Sequence, residues 1–565
     1  MIPSDPVVSG APSTFNQRGE PAAHGSWDLK AVLSLHPNSW RPQFVLVGGL
    51  IVRLLLAHRY FLNPDEALHY VLATQSSVGL AYKAALTNAH PPLLILVLYY
   101  WRVLGHSELW LRMPSVLAGS ACCWIVYQWL KQVTDQASAF IGLLLLSFAP
   151  SLIGLSAEIR QYALLLFFMA GCLYFSERAI QRNSPVQMIW FSLSLYGALL
   201  THYSSLIFAC TMGVYLLVRL WPVEKRLGLF AVWAAGQAGA LGLSLYFLIT
   251  HVTRLKSSGM AQGIADTWLR KSIFHPGERN VGIFILSQTV RVFTFLFSHG
   301  VVGTLALLVF LAGLTLLLRK NTPHNIEGPT GRELALLISL PFAVNCATAL
   351  GGQYPYGATR HNVFLAPFAV TGIAVGLAAW LRTRGPAWTK YLVIVAALAL
   401  CNLFPSPPPM IRERNHSRSL MKAAVATLRQ SAPPGSILFS DYESGLLLGY
   451  YVCGHEIVKL VYPSFFAKAD CGPYTAITAR PQEWKLYGQD MPDELANLQK
   501  AFGLASGSKI WLFDAGWITD SGPALKRELQ NFDCSKPQNF GENIFLCQVT
   551  IGEEAKTKAA QPVLR

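Results

Sequence analysis

NPDEALHY (Asn63–Tyr70) opens, and NAHPPLL (Asn88–Leu94) closes, the stretch whose reading decides the fold. It gathers Asp65, Glu66, His69, Lys83 and His90 where almost everything nearby is apolar. Ionisable groups beside a membrane are costly unless paired or hydrated, so such a cluster marks a functional site by default. The segment before it, Pro42–Phe61, is apolar over the roughly 20 residues that a membrane-crossing helix needs. The charged stretch then reads as the first loop on the far side of a membrane, and as the active-site loop.

Composition points the same way. The 565 residues are 52% hydrophobic and only 13% charged, with a mean hydropathy of +0.37. That balance excludes a water-soluble enzyme and leaves an all-α polytopic membrane protein. The net charge of +15 is spread through short loops, with no basic run of the roughly five to eight residues that nucleic-acid binding uses. It fits topology signals and contact with anionic membrane lipids, not nucleic acid.

Residues 1–40, rich in Pro, Ser and Gly, read as a disordered cytoplasmic tail. Lys30 and Arg41 place the N-terminus inside by the positive-inside rule, and the loop from Asn63 outside. In that loop EALHYVLATQSSVGLAY suits a short amphipathic helix along the membrane surface, and Leu93–Leu104, short for a span, could cross but is read from the charges downstream as a second interfacial helix. Spans follow at about Met113–Leu130, Ala137–Leu155, Leu164–Ile180, Val186–Leu200, Leu206–Leu220 and Leu227–Thr250, then one ending before Arg319. Glu333–Leu350, Val363–Leu381 and Tyr391–Phe404 complete a set of about eleven, with short basic turns inside. Val281–Ser298 is ambiguous and is read as interfacial. If it and Leu93–Leu104 both crossed, making about thirteen spans, the loops between would invert against the charge pattern.

These boundaries give a transmembrane domain at 41–405, with a first outer loop at 61–112. Past PSPPP (Pro405–Pro409) the composition becomes that of a soluble domain, 410–565. Strand-like SILFS, KIWLF and NIFLCQV alternate with helical LMKAAVATLRQ and PALKRELQ, so a small α/β unit is expected. The odd span count puts it outside, where thiols oxidise, and Cys453–Cys471 and Cys534–Cys547 are the expected disulfides.

Taken in order, NPDEALHY, NAHPPLL, SELWLRMPS, SAEIRQYALLL, LTHYSS and ATRHNVFLAP resemble a known family. It is that of the membrane-embedded GT-C glycosyltransferases using polyprenyl-phosphate-linked sugars, the bacterial group of protein O-mannosyltransferases, aminoarabinose transferases and Rgt-like enzymes. The resemblance covers roughly Arg41–Arg384. It implies an inverting transfer of sugar from a polyprenyl-phosphate donor to a hydroxyl of a glycan, lipid or protein, on the outer face of a bacterial plasma membrane. An acidic residue of the first outer loop would deprotonate the acceptor. Asp65 and Glu66 match that position, Asp65 preferred, and a carboxylate near a low-dielectric boundary gains basicity. Equally, acids in the first turn of a helix can be caps favoured by the dipole.

The resemblance also sets His90 at the catalytic cavity, although a structural histidine before two prolines fits as well. Glu158 and Arg160 become a cavity wall or, alternatively, an interfacial ion pair of little worth. Arg360 and His361 match a late arginine motif, and an arginine fork suits the donor phosphate. Lys83 and Arg279 are weaker phosphate candidates. His202 and Tyr203 line the cavity or belong to the interfacial aromatic belt. No cofactor is required, though Asp65, Glu66, His69 and His90 have the chemistry to hold a divalent metal ion without any spacing that demands one. Two rival readings stand beside the enzyme. One is a transporter or flippase of lipid-linked glycans, against which no internal repeat appears. The other is an idle scaffold whose tail domain binds cell-wall glycans.

Overall fold

The computed structural model describes residues 40–221, 226–257, 260–266, 268–297, 299–319, 328–383, 417–453, 466–479, 491–516, 534–541 and 544–551. Within them, seven helices are long and apolar enough to cross a membrane. Counting the bent pair Gln136–Phe148 and Pro150–Ser156 as one span gives eight. The chain is a multi-pass membrane protein. The number differs from about eleven because Pro185–Leu199 and Ser205–Arg219 are 15 residues each, short for a full crossing. The expected span Tyr391–Phe404 and the tail 1–39 lie outside the described residues. Leu93–Leu104 forms a helix and a 3-10 turn, and Val281–Phe297 is a 17-residue apolar helix.

The expected continuous span Ala137–Leu155 is broken by 56° at Pro150. Proline has no N–H for the carbonyl of Leu146, four residues back, so the helix cannot run straight through. Arg53, buried in the first span, fills the gap: its guanidinium donates to the carbonyls of Leu146 (3.3 Å), Ser147 (2.9 Å) and Gly49 (3.0 Å). A charge deep in a membrane helix is tolerated because it meets backbone acceptors the break leaves open. Elsewhere small residues let helices touch: a Cβ on Gly313 would sit 2.0 Å from the carbonyl oxygen of Gly372 on the neighbouring helix. At the end expected to face the cytoplasm, buried Glu177 accepts from Arg219 (3.2 Å) and from the Tyr215 hydroxyl, tying Gln161–Gln181 to Ser205–Arg219.

The C-terminal part is a six-stranded mixed sheet, ordered β2-β3-β1-β4-β6-β5. Its strands are β1 (Ile437–Ser440), β2 (Phe466–Cys471), β3 (Tyr474–Ala479), β4 (Lys509–Ala515), β5 (Cys534–Asn539) and β6 (Ile544–Thr550). The central β1 is parallel to β3 and β4, and the outer pairings are antiparallel. SILFS, KIWLF and NIFLCQV are thus strands, and LMKAAVATLRQ lies in the helix Arg418–Ser431. PALKRELQ lies outside the described residues. Cys453 and Cys471 form the expected disulfide. The side chain of Cys534, needed for the other expected pair, lies outside the described residues.

One face of this sheet does not close on itself. Its core of Met421, Leu428, Leu446, Leu447, Trp511 and Phe513 also contains Phe61 and Ala67 from the first outer loop. The helix Tyr442–Tyr451 lies on the helix Pro64–Ala73, with Tyr450 edge-on to Tyr70 at 5.0 Å and Tyr451 edge-on to Phe61 at 6.3 Å. The Tyr451 hydroxyl accepts from Leu62 N–H (2.8 Å) and donates to Glu108 (2.7 Å).

Candidate active site

The single surface helix expected from Glu66 to Tyr82 is two. Pro64–Ala73 ends at Thr74, whose hydroxyl turns back to the Tyr70 carbonyl, and Val78–Ala85 begins with Ser77 as its cap. The first of these helices carries the site. Asn63 is its N-cap: the side chain accepts from Glu66 N–H (3.0 Å), and Glu66 Oε2 accepts from Asn63 N–H (2.9 Å), a reciprocal capping box. Proline at the first helical position presets the backbone.

This start separates the two acids. Glu66, wholly buried, points into the protein. Arg112 donates to it twice, from Nε and Nη2, both at 2.7 Å, and Ile159 N–H donates at 2.9 Å. The same guanidinium reaches the carbonyls of Ala57, Tyr60 and Phe61. Glu66 is thereby a knot joining the end of the first span, the helix Glu108–Val133 and the turn at Ile159. Asp65, one residue earlier, faces the other way and keeps 18% of its side chain exposed. Its Oδ2 pairs with Arg160 at 2.9 Å and with Arg360 at 3.0 Å. Three segments, distant in sequence, meet at one oxygen. Two guanidinium groups thus face the carboxylate whose basicity the sequence reading relies on.

The arginines differ. Arg160 is 3% exposed and lies against Tyr162, whereas Arg360 is 18% exposed and lies under the ring of Trp268 at 5.2 Å. Arg360 is thus the more exposed of the two cations.

Beside them imidazoles gather. His90 stacks on His202 at 4.9 Å, and His361 stands 5.6 Å from His202 and 6.1 Å from His90. Tyr162 borders all three, and Trp268 closes over His361 at 5.6 Å. His69, one turn beyond Asp65, turns its Nδ1 to the Asp65 carbonyl at 2.5 Å. The Nε2 atoms of His69, His202 and His361, the Tyr162 hydroxyl and the Gln161 amide are buried without a hydrogen-bond partner among the described residues. Buried polar atoms are normally satisfied, so these donors and acceptors have hydrogen-bonding capacity that no described residue uses.

Burial and the Arg160 guanidinium push His69 and His202 down to about 3, from 6.5. Asp65 pulls His69 the other way, and Arg360 adds to the lowering of both. Unfolded imidazoles take up protons below about 6.5 and these two do not until about 3, so stability falls as pH drops through that window. The loss is about 1.4 kcal/mol per pH unit for each histidine. Thermal unfolding in detergent should show a lower Tm at about pH 5 than at about pH 7; an unchanged Tm would mean that both imidazoles are protonated in place.

Of the remaining sequence candidates, Glu158 is half-buried and adds its negative field at Arg360. Tyr203 stands apart from the imidazole group: its hydroxyl meets His251 Nδ1 at 2.5 Å, and His251 Nε2 meets the Asn88 carbonyl at 2.7 Å, so the pair anchors NAHPP. Lys83 and Arg279 are exposed and take no part in the ion pairs at Asp65. Among the described residues no group of three or more His, Cys, Asp or Glu is arranged to hold a metal ion, Glu66 being engaged by Arg112. Arg112, Tyr162, His251 and Trp268 were not among the expected site residues. For Arg112 the signal was an arginine inside SELWLRMPS, at the head of an apolar span.

A family model described as dolichyl-phosphate-mannose-protein mannosyltransferase matches residues 89–249. No curated protein matches the chain in sequence. In structure, the chain is similar to ArnT from Cupriavidus metallidurans bound to undecaprenyl phosphate, at TM-score 0.51 and 12% identity, over 90% of this chain and 97% of that one. The apo state of ArnT gives TM-score 0.52 at 12% identity, with the same coverage of 90% and 97%. The archaeal oligosaccharyltransferase AglB from Archaeoglobus fulgidus, in complex with an inhibitory peptide and a dolichol-phosphate, gives TM-score 0.48 at 11% identity, over 92% of this chain and 75% of that one. The likeness to ArnT extends through the membrane helices and the C-terminal sheet domain, and the fold is GT-C.

Proposed function

We propose that this GT-C membrane protein is a glycosyltransferase that takes a sugar from a polyprenyl-phosphate donor and transfers it, with inversion, to a hydroxyl acceptor on the outer face of the membrane. The observation that carries this reading is the Asp65 carboxylate held between Arg160 and Arg360 beside a patch of imidazole and phenol groups, several of whose polar atoms have no hydrogen-bond partner among the described residues. Glycosyl transfer from a lipid phosphate needs a base for the acceptor, a cation for the leaving phosphate and hydrogen-bonding groups for a polyhydroxyl ring. All three kinds of group meet here.

In this reading the donor phosphate draws the more exposed Arg360 away from Asp65, while buried Arg160 keeps the carboxylate oriented. Binding the donor then uncovers the base, and Asp65 accepts the acceptor proton as the hydroxyl attacks the anomeric carbon. Negative charge builds on the departing phosphate, where the guanidinium fork stabilises the transition state more than the ground state. The neutral imidazoles and Tyr162 would hold sugar hydroxyls, for which groups able both to donate and to accept are suited. Glu66 is assigned to structure, since every oxygen it has is already engaged.

The test is reconstitution in liposomes with a panel of synthetic polyprenyl-phosphate sugars, reading release of polyprenyl phosphate and labelling of extracted envelope glycans, lipids and proteins. Consumption of no donor would remove the reading. With an active donor found, Arg360→Ala should weaken donor binding and slow transfer together, and Arg360→Lys should be a milder defect because it keeps the charge but loses the fork. Normal transfer by the alanine variant would return the phosphate to Lys83, Arg279 or a metal ion.

A further inference from the structure

A second feature stands apart from the site. Between the helix Arg418–Ser431 and the turn His106–Glu108 lies an open cleft of about 420 Å³. One wall is a single face of that helix, carrying Arg418, Lys422 and Arg429; the floor is Glu108 with Tyr450 and Tyr451. Its charges do not balance. Glu108 is the sole acid lining the cleft and is already engaged by Arg418 and the Tyr451 hydroxyl. Lys422 has no carboxylate partner among the described residues, and Arg429 donates only to the Tyr451 carbonyl, at 3.1 Å. Two cations are left facing a space of ligand size.

The segment that leads into the cleft says what kind of anion fits. Tyr100, Val103 and Leu104, the residues leading into His106, are all strongly exposed and belong to the apolar segment too short to cross a membrane. Exposed apolar side chains at the end of such a segment belong at the lipid boundary. The exposed apolar segment thus ends two residues before His106, which lines the cationic cleft, a combination complementary to an amphiphile with a negative head and a hydrocarbon tail.

We infer that this cleft binds the phosphate headgroup of an anionic phospholipid, with Lys422 and Arg429 on the phosphate and the acyl chains along Tyr100, Val103 and Leu104. The bound lipid would fix the tail domain to the membrane surface at the point where Tyr451 contacts Leu62, three residues before Asp65. The inference does not depend on the chemistry proposed for the active site, and its test reads lipid, not transfer.

The full-length protein, placed in nanodiscs containing phosphatidylglycerol and phosphatidylcholine and then extracted, would be examined by native mass spectrometry for retained lipid. The wild type should retain phosphatidylglycerol in preference. Neutralising both cations, K422Q with R429Q, should lower that retention roughly thirtyfold, at about 1 kcal/mol per charge near a membrane surface. The pair K500Q and K509Q, on exposed positions of the same domain outside the cleft, should leave it unchanged. Equal retention by the cleft variant and the wild type would overturn the proposal, as would an equal loss in the control pair, which would mean bulk surface charge. Displacement of the lipid by inorganic phosphate alone would also overturn it, assigning the cleft to a free anion.

Discussion

Asp65→Asn should lower sugar transfer by about 10² to 10⁴, the usual cost of losing a general base, while the protein still extracts from the membrane as a folded species. Asparagine keeps the shape and one oxygen that can accept from Arg160, so the segments that meet at Asp65 stay together. What is lost is the capacity to take a proton. Single-turnover measurement with saturating acceptor isolates the effect, and donor binding, measured separately, should persist. A folded Asp65→Asn variant with near-normal turnover would transfer the role to Glu158, the other acid near Arg360.

The neighbouring acid should behave in the opposite way. Glu66→Gln leaves the Arg112 guanidinium, 2% exposed, without a counter-charge. Removing one partner of a buried pair costs about 3–5 kcal/mol. That is a large part of the roughly 5–15 kcal/mol by which domains are stable, so the variant should express poorly or unfold at markedly lower temperature. Arg112→Met should give the same phenotype from the other side. Fluorescence-detected size exclusion and thermal unfolding would show it. If Glu66→Gln is as stable as the wild type but inactive, the assignment of the two acids is reversed.

This division of labour was half legible in the sequence. NPDE announces both a capping box and an acidic pair, and the pattern alone supports either role for either acid. What tells the two acids apart is that Arg112, 46 residues away, binds Glu66, while Arg160 and Arg360, from two other turns, pair with Asp65. Local rules cannot see such partners. Arg360 and His361 were visible through the motif ATRHNVFLAP, and His90 through AHPP, because each sits where an apolar span meets polar residues. His202 reads in the sequence as lining the cavity or belonging to the interfacial belt, and His69 only as a possible metal ligand; nothing in their neighbours announces that they share one patch. Lys83 had charge and position in its favour but points to solvent.

The same contrast holds for the fold. Spans such as Gln161–Gln181 and Gly331–Leu350 were readable because length and hydropathy suffice. The break at Pro150 was written in the sequence too, but its consequence depends on Arg53 reaching across from another helix. In the sheet, the three apolar strands β1, β4 and β6 were found. YTAITA and FAKADC carry weaker patterns, and the parallel pairing of β3 with β1 is non-local.

Phe61 and Ala67 lie in the core of the C-terminal sheet domain. A protein cut before residue 417 would leave those two side chains, and with them the helix bearing Asp65, facing water. Inactivity of such a truncation would therefore say nothing about a separate task for the tail. The loop that carries Asp65 and the sheet share one hydrophobic core, although the chain writes them about 350 residues apart.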